Sequence, residues 1–190
     1  MQIIAHRGFW EKSRDQNTIQ SFRTAIDYGF GIETDLRDQN NEIVVSHDIP
    51  KGETLTFDEF LYEYQSRAKK ILNSPYLALN IKSDGLQQKI QYLINQYKIS
   101  NYFVFDMSIP DTLGYLKADV QTFIRKSEYE LELSLYSQVS GIWLDQFEED
   151  WVTGKIIKKL IADHKQVCIV SPELHGRKYE EFWNRIRDNL

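Results

Sequence analysis

Strand-like apolar runs alternate with amphipathic helical patterns along this chain of 190 residues. The first three runs are Ile3-Ile4-Ala5-His6-Arg7-Gly8, Gly31-Ile32-Glu33-Thr34-Asp35 and Ile43-Val44-Val45-Ser46-His47-Asp48. Short β-branched runs bounded by glycine and polar residues read as buried strands. Between them, Thr18 is placed to cap a helix presenting Ile19, Phe22 and Ile26 and ended by Gly29. Thr56 with Glu59 forms a capping box ahead of Phe57, Phe60, Leu61 and Tyr64. Further strands are predicted over 76–81, 102–106, 120–125, 141–145 and 167–171. Helical spacing recurs at Leu86, Ile90, Leu93, Ile94 and Tyr97, at Ile156, Ile157, Leu160 and Ile161, and at Tyr179, Phe182, Trp183 and Ile186. Such alternation points to an α/β fold on a parallel sheet.

No linker or low-complexity tract divides the sequence, so residues 1–190 read as one domain, short for a (β/α) barrel of ~250 residues. A hydrophobic content of 42% and a charged content of 27% are ordinary for a globular protein. The net charge of −5 supplies no basic stripe, which argues against nucleic acid and against electrostatic docking on anionic membranes. No apolar run reaches the ~20 residues that span a bilayer, and no signal-peptide pattern precedes the first strand. Cys168 is alone, inside Val167-Cys168-Ile169-Val170, and reads as a small buried hydrophobe in a reducing compartment. The expectation is a cytoplasmic protein without a stable membrane anchor.

The polar residues cluster at the ends of these runs. In a barrel of alternating strands and helices the C-terminal strand ends line the active site. His6 and His47 are suited to proton transfer near neutrality, and Glu33 and Asp35 share a strand face and suit a hard divalent cation. Arg7 offers a planar fork for phosphate, and Lys82 adds a point charge, unless either is absorbed by Asp48 or Asp84. The set describes metal-assisted cleavage of a phosphodiester. Later strand ends carry Arg125, Asp145 and Glu173, with Trp143 two residues before Asp145, a combination suited to binding hydroxyl-rich or phosphorylated groups. Segment 171–177 is either a substrate loop or a solvated one. His164 precedes a strand and reads as solvated, whereas His175 follows the last strand and has equal claim to the mouth or to solvent.

His-Arg-Gly after the first strand, Asn17-Thr18 opening a helix, Glu33-x-Asp35 and His47-Asp48, in this order, resemble the glycerophosphodiester phosphodiesterases. Leu79-Asn80-Ile81-Lys82 sits where that family usually has Glu-x-Lys. The resemblance implies a TIM-type (β/α) barrel of the phospholipase-C-like phosphodiesterase kind, a divalent cation (Mg²⁺ or Ca²⁺) on Glu33, Asp35 and Asn80, and His6 and His47 as acid and base. It implies a small polar diester as substrate, a place in lipid metabolism and, by analogy with short bacterial members, a link to cell-surface polysaccharide synthesis. Two positions depart from the family pattern: Gln16 and Asn80 stand where relatives carry glutamate. An inactive phosphodiester-binding protein of the same fold is therefore the alternative. A sugar isomerase would use similar ligands but has no need of Arg7 beside His6.

The second and third runs are expected to pair as a hairpin around the three-residue tip Gln39-Asn40-Asn41, bringing His47 level with the acidic pair. Seven staves then remain, unless 43–46 serves as an eighth. The family's last short strand ending in Thr-Asp has no counterpart after Asn189, which implies an open or shortened barrel. The first strand would need cover along its free edge, from a second copy in a homodimer or from the C-terminal helix around Trp183.

Overall fold

The computed structural model describes residues 1–71 and 74–189. Its elements alternate as the sequence suggests: β1 Ile4–His6, α1 Ile19–Asp27, β2 Gly31–Gln39, β3 Glu42–Val45, α2 Phe57–Ala68, β4 Leu77–Ile81, α3 Gln87–Gln96, β5 Tyr102–Phe105, α4 Ile109–Lys117, β6 Phe123–Lys126, β7 Gly141–Leu144, α5 Gly154–Ala162, β8 Gln166–Ile169 and α6 Glu180–Asn189. Two compact units are formed, residues 1–121 and 122–190. Among the described residues no helix is long and apolar enough to cross a membrane. Leu190, the position after Asn189 where a last short strand would begin, lies outside the described residues.

In the first unit the strand order is β1-β2-β4-β5, all parallel, with β3 antiparallel on β2. Segment 43–45 is therefore a hairpin arm and not a parallel stave. Gln39 pairs with Glu42, so the tip is the two residues Asn40 and Asn41 rather than three. Both have positive φ, 49° and 65°, as a type I′ turn requires, and asparagine tolerates this region well. The hairpin also lengthens β2 beyond Asp35 to Gln39, because β3 supplies ladder partners that a bare barrel stave would lack. Register puts Leu36 opposite Val45, and Ser46 N–H donates to the carbonyl of Asp35. His47 thus lies past the end of β3 and not on the ladder opposite Glu33.

The helices cover one side of this sheet. α1 begins at Thr18, whose hydroxyl accepts from Ser21 N–H while Ser21 reciprocates, and α2 begins with the Thr56–Glu59 box. Phe22 and Phe60 meet edge to face at 4.7 Å, and both are fully buried with Phe57 and Leu61. Each such side chain contributes about 1.5–3 kcal/mol on leaving water. α4 was not foreseen: its buried residues are Asp111, Thr112 and Tyr115, a face with little apolar periodicity.

The second unit holds the parallel sheet β6-β7-β8. Gly141 allows β7 to pass the ring of Phe123, where a Cβ would come within 2.3 Å. β8 is the end strand, so Cys168 is half-buried rather than enclosed.

Candidate active site

Three parallel strands bring the first unit's polar residues together. His6 pairs in register with Glu33, and Asp35 with Asn80, across β1, β2 and β4. Immediately after His6 the chain turns through Arg7 and Gly8, at φ 56° and 84°. A Cβ on Gly8 would come within 2.5 Å of the Ser21 hydroxyl, so only glycine lets α1 approach this turn. The result points Arg7 N–H at Glu33 Oε2 (3.2 Å) and sets Arg7 Nε 3.1 Å from Asp35 Oδ2. Trp10 Nε1 anchors the turn by donating to the carbonyl of His6 at 2.9 Å.

Glu33 and Asp35 are buried, at 3% and 0% exposure. Burial raises the Glu33 carboxyl well above the usual carboxylate range, and the charge of Asp35 adds to the effect. His6 Nε2 lies 3.8 Å from Glu33 Oε2. Burial, and then the charge of Arg7, lower the His6 pKa to about 4, with His47 and Lys82 acting in the same direction. His6 is therefore a neutral imidazole at pH 7. His47 is exposed, and its Nδ1 lies 2.8 Å from Asp48 Oδ1. That hydrogen bond holds the Asp48 carboxyl below its ordinary range. Arg37 Nη2 donates to the carbonyl of His47 at 3.2 Å.

The cations are partnered within the site. Arg7 Nη1 donates to Gln16 Oε1 at 3.2 Å in addition to its contact with Asp35. Lys82 Nζ sits 3.6 Å from Asp35 Oδ1 and 3.5 Å from Asp106 Oδ2. Asp48 and Asp84, the alternatives considered from sequence, form neither pair. Asn17, named from the sequence with Thr18 as opening a helix but given no role in the site, joins it: its Nδ2 donates to Asp35 Oδ2 and its Oδ1 accepts from Thr34 Oγ1, both at 2.9 Å. The available signal was an asparagine, a residue tolerant of positive φ, immediately before the helix cap; here φ is 55°.

Two buried oxygens, Asp35 Oδ1 and Asn80 Oδ1, take no hydrogen bond. Buried polar atoms are ordinarily satisfied, and a pair of oxygens that take no hydrogen bond beside a second carboxylate is a ligand set suited to Mg²⁺ or Ca²⁺. Among the described residues no three His, Cys, Asp or Glu side chains are placed to hold a metal ion. A cation here would accordingly need the Asn80 amide oxygen in addition to Glu33 and Asp35. A groove of about 330 Å³ lined by Ile19, Arg23, Tyr62 and Tyr97, among others, shares no residue with this set.

In the second unit Asp145 Oδ1 lies 2.7 Å from His175 Nε2, and Trp143 Nε1 donates to Asp145 Oδ2 at 3.4 Å. The His175 ring packs on Phe147 at 4.6 Å. Arg125 Nε donates to Glu130 Oε1 at 2.7 Å, and its guanidinium lies over Phe147 at 5.7 Å. Glu173 is exposed and accepts from Ser171 Oγ, apart from the Asp145 cluster in its hydrogen bonding. His164 is exposed just before β8, as expected.

No protein-family model matches the sequence, and no curated protein matches it. Solved structures do resemble it. One is a glycerophosphodiester phosphodiesterase from Agrobacterium tumefaciens, 16% identical, with a TM-score of 0.65 over 88% of this chain and 85% of that one. Another is an Oleispira antarctica phosphodiesterase in complex with the product sn-glycerol-3-phosphate, 13% identical, with a TM-score of 0.66 over 100% of this chain and 96% of that one. The chain has the α/β fold of these enzymes, the TIM-type class the sequence led us to expect.

Proposed function

We propose that this chain is a metal-dependent phosphodiesterase acting on a small polar diester, such as one linked through glycerol or another polyol. The observation that carries this reading is the convergence of His6, Arg7, Glu33, Asp35 and Lys82 from three strand ends around two buried oxygens that take no hydrogen bond. The Oleispira enzyme's product, a phosphomonoester of glycerol, supports the substrate class.

Glu33, Asp35 and Asn80 Oδ1 are the residues that would hold a divalent cation. When bound, it supplies a Lewis acid for a non-bridging phosphate oxygen. Arg7 and Lys82 bind and orient the phosphate; their contacts to Asp35 are the ones they exchange for it. His6, kept neutral by burial and by Arg7, is suited to take the proton of the substrate's neighbouring hydroxyl. Its oxygen attacks phosphorus and the distal P–O bond breaks, giving a cyclic phosphate. His47, with Asp48 on Nδ1, is suited to carry a proton on Nε2 and give it to the leaving oxygen. Water then opens the cyclic ester with the two roles exchanged.

The test is a turnover screen over glycerophosphodiesters and a chromogenic diester, with and without Mg²⁺, Mn²⁺ and Ca²⁺. Metal-dependent release of alcohol supports the reading. One observation favours a second reading, phosphodiester binding without turnover: Asp35 is already neutralised by Arg7 and Lys82, and Gln16 and Asn80 add no charge. Saturable binding of a glycerophosphodiester with no cleavage under any metal would favour it.

A further inference from the structure

We infer that Asn17 is a positioning residue that fixes which oxygen of Asp35 faces the ligand; the inference rests on the reading of Asp35 as a cation ligand. An ionised carboxylate only accepts hydrogen bonds, so the Asn17 group facing Asp35 must be its NH₂. The amide oxygen then faces Thr34, whose buried hydroxyl donates to it at 2.9 Å. This chain of two hydrogen bonds admits one orientation of the amide. It also decides the state of Asp35. Oδ2 accepts from Asn17 Nδ2 at 2.9 Å and lies 3.1 Å from Arg7 Nε as an ion pair, while Oδ1 is buried without a hydrogen bond, 3.6 Å from Lys82 Nζ. A carboxylate free to rotate would share its two oxygens among these donors; the one held by Asn17 keeps a fixed set of lone pairs open beside Asn80.

The backbone makes Asn17 specific to this task. Its φ is 55° and its N–H donates to the carbonyl of Arg7 at 2.9 Å, so the residue that orients Asp35 is also tied to the turn that presents Arg7. Glycine adopts this φ without strain, so Asn17→Gly removes the carboxamide and leaves the loop its conformation. Groups that orient a metal's ligands typically affect its affinity by ~10–100-fold.

The experiment measures Mn²⁺ affinity of the cation-free protein by calorimetry, thermal midpoints, and kcat and KM on a chromogenic diester. The variants are Asn17→Gly, Thr34→Val and Thr34→Ser. Asn17→Gly should weaken Mn²⁺ binding by about tenfold or more and lower kcat more than it raises KM. Thr34→Val should weaken Mn²⁺ binding in the same direction, whereas Thr34→Ser, which keeps the hydroxyl, should bind nearly as wild type. If Asn17→Gly does not fold, the contrast between valine and serine at position 34 carries the test. A wild-type protein that takes no Mn²⁺ overturns the inference, as does wild-type affinity in Asn17→Gly or equal affinity in the two Thr34 variants. If the wild type cleaves no diester but Asn17→Gly still loses Mn²⁺ affinity, the positioning role stands and the hydrolase reading falls.

Discussion

Asp35 and Asn80 pair in register on neighbouring parallel strands, each with one buried side-chain oxygen that takes no hydrogen bond. An amide oxygen can ligate a hard cation but brings no charge. Asn80→Glu should therefore tighten Mn²⁺ binding by about tenfold or more, given the worth of an added charge at a poorly solvated site. Calorimetry on the two proteins decides it. Weaker binding in the variant would remove Asn80 from the ligand set.

The buried acid and base of this site titrate in opposite directions from their ordinary values. The His6 pKa is lowered to about 4. Its contribution to stability is therefore fully present above the unfolded value near 6.5 and is lost as pH falls through about 4. Glu33 is raised, so its contribution is greatest below the ordinary carboxylate range and declines as pH rises through its folded pKa. An NMR titration of the cation-free protein should place the His6 midpoint near 4. A midpoint near the ordinary histidine value would contradict the burial argument.

Cation binding should also release a proton at neutral pH, because a raised Glu33 must ionise to become a ligand. Calorimetry in buffers of different ionisation enthalpy should report release of about one proton at pH 7, with affinity rising as pH rises. No dependence on buffer would mean that Glu33 is already ionised or is not a ligand.

The turn after His6 is the least forgiving backbone in the site. Gly8 combines φ 84° with a Cβ position 2.5 Å from Ser21 Oγ. Gly8→Ala should cost at least about 2 kcal/mol through backbone strain and overlap with α1. Urea unfolding measures it. A loss below about 0.5 kcal/mol, the range of unconstrained surface changes, would show that the turn relaxes.

Much of this architecture was legible in the sequence because its signals are local. The Thr18 and Thr56 caps and the apolar faces of α1 and α2 follow from residues within one or two turns of each other. What escaped depends on pairing over distance. The extension of β2 to Gln39 exists only because β3 folds back on it, and that same ladder sets His47 beyond the strand end. α4 hid because its buried face is Asp111, Thr112 and Tyr115, which leaves no hydrophobic period to read. His6, Arg7, Glu33, Asp35, Asn80 and Lys82 were nameable from strand ends, but their pairings were not: Arg7 and Lys82 both turn to Asp35. Asn17 was legible beside Thr18 in the motif that opens a helix, but its contact with Asp35 depends on the β1–α1 loop placing it against a residue 18 positions away.

The most direct test is turnover of a glycerophosphodiester, with saturating Mg²⁺, Mn²⁺ or Ca²⁺, by the wild type, His6→Ala and His47→Ala. Positioned acid–base catalysis is worth ~10²–10⁴-fold. Each substitution should lower kcat by at least about 100-fold, with the far-ultraviolet circular dichroism unchanged, and chelation should abolish wild-type turnover. An active wild-type enzyme that kept its full rate after either substitution, or in the presence of chelator, would contradict this mechanism.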